Sequence, residues 1–162
     1  MTAREDDIAR LYREYGPVLY LRCLRLLRDN EAARDATQDL FVKLCREPGL
    51  DGPVPRVLPF IYRVATHHCL NVLRDRARQQ ARLASFDVRD EAPSDLFPER
   101  KLSQQILSRF DAETQAIAVA VYVDGMEREE VASALGISSK TVRRRLERFI
   151  ENARKFVERS EA

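Results

Sequence analysis

The stretch Glu127–Phe149, EREEVASALGISSKTVRRRLERF, constrains the fold of this chain more than any other. Ala132, Gly136 and Val142 stand at helix-turn-helix spacing. A small Ala lets two helices approach, Gly permits the left-handed turn between them, and Val pins the second helix to the first. Ser138 or Ser139 is placed to cap that second helix. Along it Val142, Leu146, Phe149, Ile150, Ala153, Phe156 and Val157 share one arc, and Lys140, Arg143, Arg144, Glu147 and Arg148 the opposite one. Residues in the first two turns of such a helix reach base edges in a major groove. Tri-helical bundles imitate the spacing, but the run Arg143-Arg144-Arg145 argues for a polyanionic partner.

Helical periodicity extends over nearly all of the 162 residues, and no stretch alternates as a strand does. The length suits one ordinary domain or two small ones. Ile8, Leu11, Tyr12 and Tyr15 follow helical spacing up to Gly16-Pro17, where Pro17 either kinks one long helix or starts a second. Asp29 or Asn30 caps the next helix, which buries Ala33, Ala36, Leu40, Phe41 and Leu44 and turns Asp35, Gln38, Asp39 and Val42 outward. Pro48-Gly49, Gly52-Pro53 and Pro55 make a loop, and a helix is expected to begin near Pro59. In Phe60–Arg82 an apolar arc of Ile61, Val64, Ala65, His68, Cys69 and Val72 leaves Arg63, His67, Asn71, Arg74 and Arg78 on a separate narrow stripe. His68, inside the apolar arc, reads as a satisfied core histidine. Short helices follow over Glu99–Phe110 and Ala112–Val123.

The net charge of +2 hides sharp local imbalance. Tyr62–Arg82 carries five arginines against Asp75 alone, and Ser139–Arg159 has eight basic residues against three glutamates. Between them Ser85–Arg100 holds five acids, two arginines and two prolines, while Asp111–Glu130 has six acids to one arginine. Only four of the 28 basic residues are lysines. Arginine forks onto phosphates and base edges, so two arginine-rich helices separated by an acidic linker suggest two modules that each touch a polyanion.

Other classes find no support. No apolar run reaches the ~20 residues that span a bilayer, and Met1–Gly16 is charged rather than signal-like, which points to a cytoplasmic protein without membrane insertion. Cys23, Cys45 and Cys69 are odd in number and form no C-x-x-C with the adjacent His67 and His68. Reduced thiols are expected there, with no metal site. No glycine-rich phosphate loop, nucleophile elbow or zinc-protease helix is present, so neither cofactor, catalytic residue nor small-molecule substrate is expected. The chain does not read as an enzyme.

Three stretches in register resemble the extracytoplasmic-function (ECF) group of bacterial RNA polymerase sigma factors. RDATQDLFVKL (Arg34–Leu44) resembles the family's core-binding helix, PFIYRVATHHCLNVLRDRAR (Pro59–Arg78) its promoter-melting helix, and Asp124–Phe149 its promoter-reading helix-turn-helix. Phe60 stands where the family usually has Trp, and His67 where it often has Asn. Arg109-Phe110-Asp111 replaces a Leu-Pro turn and Gln115 a common Arg, departures that bear on how the central helix of the second domain docks.

The resemblance implies an all-α chain of two small helical domains, the second a helix-turn-helix, joined by an acidic linker: a region 2-like domain over 1–83, the linker over 84–100 and a region 4-like domain over 101–162. Asp35, Gln38, Asp39 and Val42 would bind the clamp helices of the largest subunit of core RNA polymerase, with the second domain against its flap. The Gly49–Val57 loop would hold the −10 element, with Arg63, His67, Asn71, Arg74 and Arg78 on its DNA. Ser139, Lys140, Thr141, Arg143, Arg144, Glu147 and Arg148 would meet the −35 element. An anti-sigma factor is a further implied partner. The acidic linker would either run through the polymerase's nucleic-acid channels or serve as a solvated tether. The rival function is a free-standing operator-binding regulator, which gives the Arg34–Leu44 face and the Phe60–Arg82 stripe no task.

Overall fold

The computed structural model describes residues 3–46, 54–82 and 101–161. The acidic linker and most of the Pro48–Pro55 loop lie outside the described residues. Among the described residues the α-helices are α1 (Ala3–Leu27), α2 (Asn30–Leu44), α3 (Val54–Arg82), α4 (Lys101–Leu107), α5 (Ala112–Ala118), α6 (Arg128–Leu135) and α7 (Ser139–Glu161). There is no strand among the described residues.

Helices α1 to α3 form the first bundle. Pro17 lies inside α1 and neither starts a helix nor ends one; it is exposed, and its ring nitrogen has no hydrogen to donate to the preceding turn. α1 ends at Arg28, a left-handed residue (φ 53°) whose amide reaches the Leu24 carbonyl at 2.8 Å. Asp29 then caps α2, accepting the Ala32 amide at 2.9 Å. From α3, Arg76 donates to the Leu27 carbonyl at 3.2 Å and approaches Asp29 at 3.6 Å, so one guanidinium closes the α1–α2 corner. Leu19, Cys23, Leu26, Leu40, Ile61, Cys69 and Leu70 are fully buried between the three helices. Burial of each Leu or Ile contributes about 1.5–3 kcal/mol before the entropy of ordering is subtracted.

α3 starts at Val54, not near Pro59. Val57 is buried one turn before Ile61 and Ala65, so the apolar stripe runs a turn further back than the proline rule suggests, and exposed Pro59 sits harmlessly inside it. Cys23 and Cys69 meet between α1 and α3 as free thiols. The hydrogen bond they share lowers the Cys23 pKa, and that bond together with burial raises that of Cys69 well above the ordinary thiol value.

The second bundle is α4 to α7. Asp111 caps α5 through the Thr114 amide (2.9 Å) and hydroxyl (2.8 Å). Gln115, 5% exposed, donates to the carbonyls of Leu107 and Phe110, holding the α4–α5 corner. This is the work of the unusual Arg109–Asp111 turn and Gln115: they dock helices. α5 widens into a π-helical turn over Val119–Val123 that delivers Asp124 to its end. Gly136 ends α6 at φ 66°, and Ser138, rather than Ser139, caps α7 by accepting the Thr141 amide at 3.1 Å. Val131, Val142 and Leu146 fill the space between α6 and α7.

Gly136→Ala is expected to lose about 1–2 kcal/mol of folding stability, the cost of a left-handed residue with a side chain, in a denaturant titration. An unchanged midpoint would mean the turn relaxes into another conformation.

Candidate nucleic-acid and polymerase interfaces

Three faces carry the residues singled out above, and they differ in what covers them. On α2, Asp35, Gln38, Asp39 and Val42 are all exposed. Val42 at 53% and Tyr12 at 57% are large apolar side chains left in water, and the Tyr12 ring lies 4.9 Å from that of Phe41. A patch of acid and amide groups with an apolar margin can seat a protein partner reversibly. Tyr12 reads in sequence as one more member of α1's apolar stripe; only the position of α2 beside it shows that it faces outward.

His68 sits behind this face with one nitrogen satisfied. Lys43 Nζ lies 3.1 Å from Nδ1, which makes Nδ1 the acceptor and puts the neutral ring's proton on Nε2. Nε2 is buried without a hydrogen-bond partner, 3.9 Å from Asp39 Oδ2. The sequence expectation of a satisfied core histidine therefore holds for half of the ring. Burial first, and Lys43 second, lower the His68 pKa below its ordinary 6.5.

The α3 stripe is linked along its own length. Asn71 approaches His67 Nδ1 at 3.4 Å and accepts from Arg74 Nη1 at 3.3 Å, and Arg74 Nε donates to Asp75 at 3.0 Å. By sequence the stripe can be a merely solvated face of an amphipathic helix or a DNA contact. The structure adds a third feature, because α6 packs against it. Arg63 Nη2 meets Glu130 Oε2 at 2.7 Å, and Arg74 Nη1 points at the Ala134 carbonyl at 3.5 Å. Phe60 remains exposed near the start of the helix.

On α7 Ser139, Lys140, Arg143, Arg144, Glu147 and Arg148 are exposed, and Thr141 is half-buried under its cap. Arg143 and Glu147 pair one turn apart at 3.5 Å. Arg145 belongs to the fold: it turns back to Asp111 (3.5 Å) and Glu113 (3.3 Å) on α5. Four cations thus share one free helical surface, the first of them beside the helix N-terminus, where backbone amides add positive potential. No cluster of His, Cys, Asp and Glu among the described residues could hold a metal ion. No helix among them is long and apolar enough to cross a membrane.

Family comparison matches residues 11–79 to Sigma-70 region 2 and residues 104–149 to Sigma-70, region 4, in that order along the chain. The chain belongs to the ECF group of RNA polymerase sigma factors. Such sigma factors act in transcription initiation as DNA-binding factors and are generally not enzymes. The ECF RNA polymerase sigma factor SigE of Mycolicibacterium smegmatis is 25% identical over 161 residues, spanning 91% of this chain but only 60% of that protein. The RNA polymerase sigma factor CarQ of Myxococcus xanthus is 25% identical over 161 residues, spanning 94% and 90%. Among solved structures, the sigma factor RpoE in complex with the anti-sigma factor NepR from Bartonella quintana aligns over 94% of this sigma factor and 97% of that chain, with a TM-score of 0.52 at 14% identity. That likeness establishes the two-bundle fold.

His68 gives this sigma factor a pH dependence with a definite sign. The unfolded chain takes up the imidazole proton at the ordinary 6.5 and the folded chain only at lower pH. Stability is therefore full above that value and falls as pH drops through the window below it. His68→Asn is expected to flatten this limb of a stability–pH curve; an identical slope in the variant would assign the proton to another group.

Proposed function

We propose that this protein binds core RNA polymerase and directs promoter-specific initiation, contacting the −10 element with α3 and the −35 element with α7. The observation that carries the reading is the polar, apolar-margined face of α2 in the same chain as an arginine-faced helix-turn-helix. An operator-binding regulator needs only the second. In this reading Asp35, Gln38, Asp39 and Val42 dock on the clamp helices of the largest subunit, and Tyr12 extends the patch. The domain division is 1–83, linker 84–100 and 101–162, with the second domain held at the polymerase flap.

Arg63, His67, Asn71, Arg74 and Arg78 then hold phosphates of the non-template strand beside an unstacked −10 base. Lys140, Arg143, Arg144 and Arg148 enter the major groove with Ser139, Thr141 and Glu147 alongside, arginine being able to fork onto guanine. The protein has no catalytic step of its own, works in the cytoplasm where polymerase and chromosome are, and is held in check by an anti-sigma factor. Exposed Phe60 keeps an aromatic surface where an indole is usual, losing only the N–H donor and some area.

Asp35→Ala combined with Gln38→Ala is expected to abolish polymerase binding in a fluorescence titration while the thermal midpoint stays put, since both side chains are exposed. A large drop in helicity would instead make them structural. Arg143→Ala or Arg148→Ala should cost about 1–3 kcal/mol of discrimination between a selected promoter and one with a scrambled −35 element. Equal discrimination in both variants would remove these two arginines from base reading.

A further inference from the structure

Behind the outward face of α2, one imidazole faces two opposite charges. Asp39 and Lys43 are one helical turn apart on α2, the spacing at which a carboxylate and an ammonium ordinarily pair with each other. Here His68 of α3 lies within reach of both. Lys43 Nζ is 3.1 Å from Nδ1, and Asp39 Oδ2 is 3.9 Å from Nε2. The first distance is a hydrogen bond and the second is too long for one. Nε2 is buried without a partner, whereas the Asp39 side chain is 68% exposed. The charged and titratable groups that face the ring are Lys43 and Asp39 from α2 and its neighbour His67 on α3.

We propose that His68 is a positioning residue of the polymerase-docking face: its neutral ring holds Lys43 down and leaves the Asp39 carboxylate outside, and its protonation exchanges the two. The proposal rests on the reading of α2 as that docking face. In the neutral ring the proton sits on Nε2, because Nδ1 accepts from Lys43. Protonation puts a second hydrogen on Nδ1. An N–H cannot accept, and a cationic ring repels an ammonium 3.1 Å away, so Lys43 is released to the surface. The same positive charge draws in Asp39, which needs to move by about an ångström to turn its approach into a charge-assisted hydrogen bond with Nε2. That bond also supplies the acceptor that a buried N–H otherwise lacks.

The exchange shifts the charge of the face in the positive direction twice over. One carboxylate leaves the surface and one ammonium joins it, beside exposed Asp35, Gln38 and Val42. A partner surface matched to acid and amide groups then meets a cation, and like charges set against each other weaken a complex. The direction with pH follows from what keeps the ring neutral. Burial first, and Lys43 second, hold the folded-state pKa below the ordinary 6.5. Docking is therefore complete above that value and weakens as pH falls through the lower, folded one. Linkage works both ways, so a polymerase that holds Asp39 outward also makes His68 harder to protonate.

The test is a fluorescence titration of bacterial core RNA polymerase with the full chain, carrying a pH-insensitive rhodamine at its amino terminus, from about pH 8 to about pH 5.5. His68→Asn keeps an amide oxygen for Lys43 but does not titrate, and His68→Leu gives up both contacts. Circular dichroism at each pH confirms that the proteins compared are helical. Wild type and His68→Asn are expected to bind alike at pH 8, and their affinities to part by about tenfold per pH unit below the folded-state pKa, since only the neutral form docks. The polymerase's own titration is common to both and leaves their ratio untouched. His68→Leu is expected to bind more weakly than His68→Asn already at pH 8, because Lys43 and Asp39 are then free to pair along α2. Nitrogen-15 spectra of the free, histidine-labelled protein should show the Nε2–H tautomer for His68 at pH 8, assigned by its loss in His68→Asn.

Parallel pH profiles of wild type and His68→Asn would overturn the exchange. Equal binding by His68→Asn and His68→Leu at pH 8 would overturn the positioning role and make His68 a packing residue only. An Nδ1–H tautomer would remove the Lys43 hydrogen bond on which both rest, whatever the polymerase does. If the tautomer is as expected and no protein binds polymerase at pH 8, the reading of α2 as the docking face fails and the proposal falls with it.

Discussion

One carboxylate decides how the two halves of this protein stand to each other. Asp124 is delivered to its place by a π-helical turn, and its buried side chain is met there by Arg22 from α1 and Thr66 from α3. Around it lie the other contacts between the two bundles, among them Arg28 on the Phe110 carbonyl at 3.0 Å. Beside it α6 lies along α3, Glu130 reaches Arg63 at 2.7 Å, and Gly136 stands next to Arg74 and Arg78. A buried carboxylate without its guanidinium would be strongly unfavourable, so the cluster is formed as a whole or opened as a whole.

Much of each bundle can be read from the chain. The buried and outward faces of α2, the left-handed turn at Gly136 and the seat of Val142 follow from local rules, because each is set by periodicity or by backbone sterics within a few residues. Where two neighbouring positions could both serve, the structure chooses Asp29 and Ser138 as caps. The start of α3 is misread because proline marks helix beginnings only on average. Here Val57 already belongs to the buried stripe, and one turn of packing outweighs the signal of exposed Pro59.

What stands opposite an exposed stripe is not legible. Periodicity shows that Arg63, Arg74 and Arg78 share a face and that Glu130 and Asp124 lie in an acidic stretch, but nothing in spacing brings residues 67 positions apart into register. Tyr12 escapes for a related reason: whether the edge of an amphipathic helix is covered depends on where its neighbour ends. Arg145 shows the converse. Three consecutive arginines look equivalent in sequence, yet the 100° between successive side chains sends Arg145 back to α5 while Arg143 and Arg144 face water.

Binding to core RNA polymerase is what separates a sigma factor from an operator-binding regulator. The most direct measurement is gel filtration of the purified wild-type protein mixed with bacterial core RNA polymerase at micromolar concentration. The prediction is a single co-eluting complex at one-to-one stoichiometry that survives a second passage over the column. Separate elution of protein and polymerase would contradict the assignment of the α2 face, and would leave the helix-turn-helix as the whole of the protein's function.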